Sequence, residues 1–96
     1  MINMADTLEL EELEVIDSIG TDFSAKVILF NDEWHSFDEV INQLLKALKC
    51  SQQHAENLTW EVHNNGKSVV FEGDIQDALR ITSILGEISL NSIIEF

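Results

Sequence analysis

The stretch KVILFNDEWHSF, from Lys26 to Phe37, contains the change of pattern that decides the fold. Its first half is aliphatic and β-branched, as a buried strand requires, and it stops at an amide followed by two carboxylates. Asn and Asp bond to their own backbone and tolerate bends, so Asn31 and Asp32 predict a turn. Ser36 with Glu39 three residues later is a capping box, which predicts that a helix begins directly after Ser36.

Two helices are predicted after this turn. The first has apolar residues at the spacing of one helical face, namely Phe37, Val40, Ile41, Leu44, Leu45 and Leu48. Ser51 can cap the second, which we expect to end at His63 or close to it because Asn64-Asn65-Gly66 tolerates a left-handed ending. The second helix also has a shared face, formed by Ala55, Leu58, Thr59 and Val62.

The remaining sequence predicts two strands around a third helix. Lys67 to Glu72 is the second strand, and Ser89 to Phe96 is the last. Gly73-Asp74 starts the helix between them, which carries Ile75, Ala78, Leu79, Thr82 and Leu85. The resulting fold class is α+β in the order β-α-α-β-α-β, with three helices on one face of a three-stranded antiparallel sheet.

Composition excludes several classes of partner. The 96 residues include 18 acidic and 5 basic side chains, which gives a net charge of -13 at pH 7. Nucleic acid and anionic membranes both need a cationic surface, so neither is an expected partner. A single cysteine cannot form an internal disulfide, and no apolar signal segment is recognisable, so we expect a cytoplasmic protein.

The acidic residues are concentrated at the start of the chain. Residues 1–22 contain 7 of the 18 acidic side chains and no Lys or Arg. Like-charge repulsion favours an extended, mobile segment, although its aliphatic residues leave a short amphipathic turn open. We therefore divide the chain into an acidic extension, residues 1–24, and a core domain, residues 25–96.

Reactive side chains taken singly give weak signals. His35, Cys50, His54 and His63 are separated by 15, 4 and 9 residues, which matches no structural zinc pattern, and we expect neither a metal nor a cofactor. A lone Cys at a helix end is more often an apolar filler than a nucleophile. An enzyme that uses Asp32, His63 and Cys50 would lack a recognisable nucleophile–base pair or oxyanion loop, so we expect a non-enzymatic protein.

Two segments taken together resemble a known family. KVILFNDE, Lys26–Glu33, and EVHNNGKSVV, Glu61–Val70, are similar to the V-I-L-x-N-D-[DE] and V-H-x-x-G-K motifs of the ClpS family, the adaptors that deliver N-degron substrates to Clp AAA+ unfoldases. The helix after Ser36 and Ala78 in the third helix also match, so the resemblance covers about residues 25–96. The element order deduced from periodicity is that of the ClpS fold.

The resemblance implies a site for the N-terminal residue of a substrate. The positions that match the family's amine-binding motif are Asn31, Asp32 and His63. An N-terminal amine has a pKa of about 8 and is mostly cationic at pH 7, so an amide oxygen, a carboxylate and a neutral imidazole suit it. By the same match, the adjoining pocket for a bulky hydrophobic side chain is lined by Phe37, Val40, Thr59, Val62 and Leu90.

Several positions depart from the family pattern. Phe37 and Thr59 stand where Met is usual, and His35 replaces a small hydroxyl residue, so the side-chain preference is expected to differ. Family members dock on the unfoldase through an acidic residue and a Lys on the third helix, where this chain has Gln76 and Ile81.

The resemblance predicts an adaptor that binds destabilising N-terminal residues and delivers their proteins to a Clp AAA+ unfoldase of the ClpA or ClpC type. The alternative is a ClpS-fold protein that binds amines or peptides without docking on a Clp unfoldase. In the family the N-terminal extension is engaged by the unfoldase, and residues 1–22 have the matching place.

Overall fold

The structure is a computed structural model, and it describes residues 24–96. The proposed mobile extension lies outside the described residues. The elements are β1 (Ala25–Phe30), α1 (Phe37–Leu48), α2 (Gln52–Asn65), β2 (Lys67–Gly73), α3 (Ile75–Gly86) and β3 (Ser92–Glu95). The predicted fold class and element order are confirmed.

The sheet has β1 at its centre, with β2 and β3 antiparallel on either side. Ala25, Val27 and Leu29 alternate along β1 and are 0% exposed, because they point toward the helices. The register shifts between Val27 and Ile28, which leaves Val70 of β2 as the extra residue of a bulge. Helix α3 contacts all three strands, α2 contacts β2, and α1 packs on α2 and α3. The helices thus cover one face of the sheet.

The capping box predicted for α1 is present. The backbone N–H of Glu39 donates to the Ser36 hydroxyl oxygen at 3.1 Å, and the backbone N–H of Ser36 donates to Glu39 Oε1 at 2.8 Å. The helix ends at Leu48, where Lys49 adopts a left-handed conformation with φ 55° and donates its N–H to the Leu45 carbonyl. The start of α1, and with it the length of the preceding loop, is fixed by local sequence.

Helix α2 ends at Asn65, close to His63 as predicted. Gly66 ends it with φ 87° and donates its N–H to the Val62 carbonyl, and glycine has no Cβ to oppose that conformation. Ser51 caps its start as predicted. The predicted inward face is confirmed, because Ala55, Leu58, Thr59 and Val62 are all buried.

The core face of α3 includes a residue that had been proposed for docking. Ile81 is 1% exposed and belongs to the core with Ala78 and Leu85, whereas Leu79 is 54% exposed. A spacing of three and four residues joins Ala78, Ile81 and Leu85 on one face, and Leu79 lies off it. Ile81, proposed at the sequence level as an unfoldase contact, is therefore not available to a partner. Gln76 is exposed in the first turn of α3.

The last strand is shorter than predicted. β3 covers Ser92–Glu95, whereas Ser89 to Phe96 had been expected. Ser89 has a left-handed φ of 66°, and the Leu90 N–H donates to the Leu85 carbonyl at 3.1 Å, so these residues form a turn that ends α3. This connection, residues 87–91, is called the Ile88 turn below.

Candidate functional site

A cavity of about 310 Å³ opens beside the end of β1. This volume is at the lower end of the range of small-ligand pockets in proteins, roughly 300–1,000 Å³. The residues that line the cavity are Leu29, Phe30, Asn31, Asp32, Glu33, His35, Phe37, Val40, Thr59, Val62, His63 and Leu90. The structure thus brings every residue predicted for amine binding and for the side-chain pocket to one cavity, next to others that had not been assigned a role.

Backbone hydrogen bonds hold the end of β1 between α2 and β3. The Asn31 N–H donates to the Gly66 carbonyl at 2.9 Å, and the Phe30 N–H donates to the Asn91 carbonyl at 3.0 Å. Gly66 directly follows α2, so the first contact places Asn31 close to the helix end that carries His63. Residues far apart in the sequence meet here because a strand end and a helix end share these backbone bonds.

The Asp32 carboxylate organises the loop between β1 and α1. Its Oδ1 accepts the backbone N–H groups of Trp34 at 2.9 Å and His35 at 3.0 Å, and its Oδ2 contacts Nδ1 of the His35 ring at 2.7 Å. Burial alone would raise the pKa of the Asp32 carboxyl, but the hydrogen bonds from His35 and Trp34 outweigh it and lower that pKa. Asp32 is therefore a carboxylate that is largely occupied within its own loop.

His35 connects this loop to the Ile88 turn. The ring Nε2 lies 2.6 Å from the Ile88 carbonyl oxygen, and the side chain is only 13% exposed. The hydrogen bond to Asp32, followed by that to Ile88, raises the pKa of the His35 imidazole. Both ring nitrogens of His35 are thus engaged in the scaffold of the site.

His63 has a different environment at the C-terminal end of α2. Its ring meets Phe37 edge-on with centroids 5.1 Å apart, and Trp60 with centroids 6.0 Å apart, while Phe37 and Trp60 are 4.7 Å apart. Within residues 24–96 its ring nitrogens have no hydrogen-bond partner, and the residue is exposed. The aromatic neighbours orient the imidazole, and its nitrogens stay available to a ligand.

The apolar part of the cavity is built mainly by α1, α2 and the Ile88 turn. Thr59 is 3% exposed, and its hydroxyl donates to the Ala55 carbonyl at 2.8 Å. Because that bond satisfies the hydroxyl within the helix, Thr59 presents little hydrogen-bonding capacity to the cavity. With Phe37, Val40, Val62 and Leu90, it gives the cavity an apolar wall beside the polar loop.

Polar contacts from α1 fix the Ile88 turn independently of His35. Gln43 donates from Nε2 to the Ile84 carbonyl at 2.7 Å and to Glu87 Oε1 at 3.2 Å. Lys46 Nζ contacts the same Glu87 oxygen at 2.6 Å, and this hydrogen bond lowers the pKa of Glu87. The start of the turn is therefore anchored on α1, and Leu90 is held against the cavity.

Comparison with known proteins shows the family and the fold of this chain. The sequence model of the family described as "ATP-dependent Clp protease adaptor protein ClpS" matches residues 21–88. The chain belongs to the ClpS family. A solved ClpS structure, "The structure of Agrobacterium tumefaciens ClpS2 bound to L-phenylalaninamide", superposes with a TM-score of 0.65 at 22% sequence identity. That match covers 75% of this chain and 94% of the other, and it establishes a shared fold.

Curated relatives of this ClpS-family chain are much longer proteins. It is 38% identical over 66 residues to mouse "E3 ubiquitin-protein ligase UBR2" and 32% identical over 74 residues to the human protein of that name. These matches cover 69% and 77% of the chain but span only 4% of each relative. A 43-residue match at 40% identity to Drosophila melanogaster "E3 ubiquitin-protein ligase UBR1" covers 45% of the chain and 2% of that protein.

Sequence reasoning missed two polar residues of the ClpS-type cavity. Glu33 belongs to the motif but has no predicted role, and His35 is considered only as a zinc ligand and as a departure from the family pattern, yet both line the cavity. The spacing Asp32-x-x-His35 across a predicted turn could have suggested their contact. The bond from His35 to Ile88 has no such signal, because 53 residues separate the partners.

Other sequence-level candidates lie apart from the cavity. Cys50 is partly buried after α1 and is not among the lining residues. Within the described residues, no cluster of His, Cys, Asp and Glu has a geometry that could hold a metal ion. The helices of that same part of the chain are also too short or too polar to cross a membrane.

Proposed function

We propose that this ClpS-family protein binds the N-terminal residue of peptides and proteins. Asn31, Asp32 and His63 receive the free α-amino group, and the apolar wall receives a bulky hydrophobic first side chain. The observation that supports this most strongly is that one cavity contains both parts. Acceptors for a cation lie at its polar edge, and an apolar pocket adjoins them.

The proposed amine site uses acceptors that the fold leaves free. A carboxylate has about four acceptor positions, and the loop uses three on Asp32, so one remains for an ammonium group. The Asn31 amide oxygen and a neutral nitrogen of His63 supply further acceptors. Glu33 at the cavity edge and the net charge of -13 attract a cationic N-terminus from solution.

The proposed side-chain pocket suits aromatic and long aliphatic residues. Burying such a side chain contributes roughly 1.5–3 kcal/mol. The related ClpS2 structure contains L-phenylalaninamide, which has a free amino group next to a benzyl side chain. A ligand of that class matches both parts of the cavity in this chain.

Calorimetric titration with peptides that differ only at residue one tests the proposal. We expect micromolar or tighter affinity for a free N-terminal Phe, Trp, Tyr or Leu, and weak affinity for Gly or Ser at that position. The matched control is the N-acetylated form of each peptide, which lacks the cation and donors. Equal binding of the free and acetylated peptides would rule out the amine site.

For the delivery step, we propose docking on a Clp AAA+ unfoldase of the ClpA or ClpC type, as the description of the family implies. Gln76 is an accessible candidate contact, whereas Ile81 is not. Degradation of a reporter with an N-terminal Phe, measured with the resident Clp enzyme, tests this step. Deleting residues 1–22 should leave peptide affinity unchanged, since no proposed site residue lies there, and should abolish delivery.

A second candidate is a recognition module that serves a ubiquitin ligase instead of a Clp enzyme. The UBR2 and UBR1 matches favour it, as does the absence of an accessible side chain at position 81. In that case peptides bind as above, but no Clp enzyme from the same cell is stimulated. Retained peptide binding without Clp-dependent degradation would rule out delivery to a Clp enzyme and leave this candidate beside a peptide-binding protein that docks on no unfoldase.

A further inference from the structure

The His35 side chain contacts two segments that have different roles in the proposed function, the loop that binds the amine and the turn that lines the side-chain pocket. Its Nδ1 lies 2.7 Å from Asp32 Oδ2, and its Nε2 lies 2.6 Å from the Ile88 carbonyl oxygen. Asp32 belongs to the polar edge of the cavity, and the Ile88 turn carries Leu90 of the apolar wall. A single imidazole therefore sets the separation between the polar edge and one side of the pocket.

Both partners of the His35 ring are hydrogen-bond acceptors. The Ile88 carbonyl has no proton to donate, and Asp32 is a carboxylate whose other oxygen already accepts two N–H groups. Neutral imidazole has one N–H, so it satisfies one partner and directs a lone pair at the other. Only the imidazolium, with two N–H groups, makes both contacts at these distances.

The surroundings of His35 favour that cation. Asp32 faces it from the same loop, Glu39 acts on it electrostatically from α1, and the Ile88 carbonyl faces it from the turn before β3. Glu87, the charged residue of that turn, is paired with Lys46. From α2, His63 lines the same cavity. The pKa of His35 is raised by these contacts, first by Asp32 and then by Ile88.

We propose that protonated His35 is a positioning residue that couples the polar edge of the cavity to the Ile88 turn, so that ligand binding weakens when His35 loses its proton. This inference rests on the proposed function. Loss of the proton breaks either the contact to Asp32 or that to Ile88. The turn stays folded through Gln43 and Lys46, and the Phe30 N–H still bonds to Asn91, but no side chain then joins Asp32 to the Ile88 carbonyl.

An opposing electrostatic effect accompanies deprotonation. Neutral His35 leaves the charge of Asp32 unpaired, which by itself would attract a cationic amine. Asp32 is part-exposed, with 18% of its side chain accessible, so water and salt screen that attraction. A hydrogen bond to a displaced carboxylate is instead weakened steeply by poor distance and angle. We therefore expect the loss of positioning to dominate.

Nuclear magnetic resonance of the unliganded full-length protein tests the protonation state directly. Nitrogen-15 shifts of the His35 ring should report two N–H groups at neutral pH, with a titration midpoint above about 6.5, the ordinary pKa of an imidazole. A single N–H on His35 at neutral pH, or a midpoint at or below that ordinary value, would overturn the inference. This result does not depend on any ligand.

Peptide titration from pH 5.5 to 9 tests the coupling. The ratio of the dissociation constants of wild type and His35→Gln at each pH removes the pH dependence that the two proteins share. We expect His35→Gln to bind on the order of ten-fold more weakly below the His35 midpoint, the effect of one charge-assisted hydrogen bond, and the ratio to approach one above it. His54→Gln is the matched control and should give a ratio of one throughout.

The outcomes separate this inference from the proposed function. A ratio that is constant across pH, or tighter binding by His35→Gln at low pH, would overturn the role of His35 while leaving peptide recognition intact. Absence of free-amine peptide binding by the wild type at every pH would overturn the proposed function and the coupling together. In that case the nitrogen-15 titration still reports whether the two-acceptor contact of His35 exists. Circular dichroism confirms that each variant is folded.

Discussion

The loop Asn31–His35 and the C-terminal end of α2 each contribute a histidine to the same cavity, but the two side chains differ in what they have left to offer. His35 is 13% exposed, and both ring nitrogens are bonded within the protein. His63 is exposed, its ring meets Phe37 and Trp60 edge-on, and its ring nitrogens have no hydrogen-bond partner among the described residues. A side chain that lines a cavity is therefore not necessarily free to bind a ligand. Substitutions in the loop should lower the stability of the protein as well as peptide binding, whereas substitution of His63 should lower binding with little effect on stability.

Asp32→Ala should have the largest effect, because it acts on the loop side of the comparison. It leaves two backbone N–H groups and the His35 ring without their acceptor, which we expect to cost about 2–3 kcal/mol of unfolding free energy and to weaken peptide binding at least ten-fold. Urea denaturation and peptide titration measure the two effects. Asp32→Asn, which keeps one acceptor oxygen, is the control and should lose less of both. An unchanged urea midpoint in the Ala variant would show that the loop does not need its carboxylate.

His63→Ala tests the opposite side. We expect binding to weaken by about 1.5–3 kcal/mol, since an acceptor of the ligand ammonium is lost. The unfolding free energy should fall by less than about 1 kcal/mol, because the side chain is exposed and makes edge contacts with Phe37 and Trp60 but no hydrogen bond within residues 24–96. His54→Ala, on the same helix but away from the cavity, should change neither quantity. If His63→Ala lowered the unfolding free energy as much as Asp32→Ala, the proposed difference between the two histidine environments would be wrong.

Thr59→Met should alter selectivity more than stability. The longer Met side chain occupies part of the pocket, and overpacking of this kind typically costs about 1–3 kcal/mol. We expect that cost to appear in the binding free energy of the largest ligands. The ranking among N-terminal Phe, Trp, Leu and Ile should therefore shift toward smaller side chains. Thr59→Val conserves the shape and removes only the hydroxyl bond to Ala55, so its ranking should match that of the wild type. Identical rankings for Met and Thr at position 59 would place this residue outside the pocket.

The pH dependence of stability sharpens the comparison on the loop side. The folded-state pKa of His35 is raised, so its contribution to stability is complete below the unfolded value of about 6.5 and is lost as pH rises through the folded value. The pKa of Asp32 is lowered, so its contribution is present above about pH 4 and is lost as pH falls through its folded value. Urea midpoints should thus decline above about pH 6.5 in wild type and less so in His35→Gln. Parallel curves for the two proteins would count against the ion pair.

Glu33→Gln should have the smallest effect. Glu33 is exposed at the cavity edge, and an exposed charge a few ångströms from a cation contributes about 0.5–1 kcal/mol in water. We expect a few-fold loss of peptide affinity that disappears at high salt, with no change in stability. Asp38→Asn, an exposed charge in the first turn of α1, is the matched control. A loss that persists in 1 M salt would indicate a direct contact between Glu33 and the ligand.

Much of the fold could be predicted from local sequence signals. These signals act between residues that are close in sequence, so each can be recognised from a short segment. They are the capping pair Ser36 and Glu39, the caps Ser51 and Gly66, and the apolar faces of α1 and α2. The errors have two causes. The docking role proposed for Ile81 came from its position in the family pattern, whereas the spacing of Ala78, Ile81 and Leu85 places it on the core face. Ser89 adopts a left-handed conformation that its residue type does not predict.

The sequence alone determined the order of the elements and the start of the loop at Asn31. These follow from hydrogen-bonding capacity and hydrophobic period, which are properties of short segments. The residues expected at the site came from the resemblance of two motifs to the ClpS family. Tertiary structure alone decided that Asp32 is largely occupied, that His35 reaches Ile88 and that Ile81 is buried. The physical reason is that a free acceptor and an engaged one look the same in a sequence, and only the folding of distant segments against each other distinguishes them.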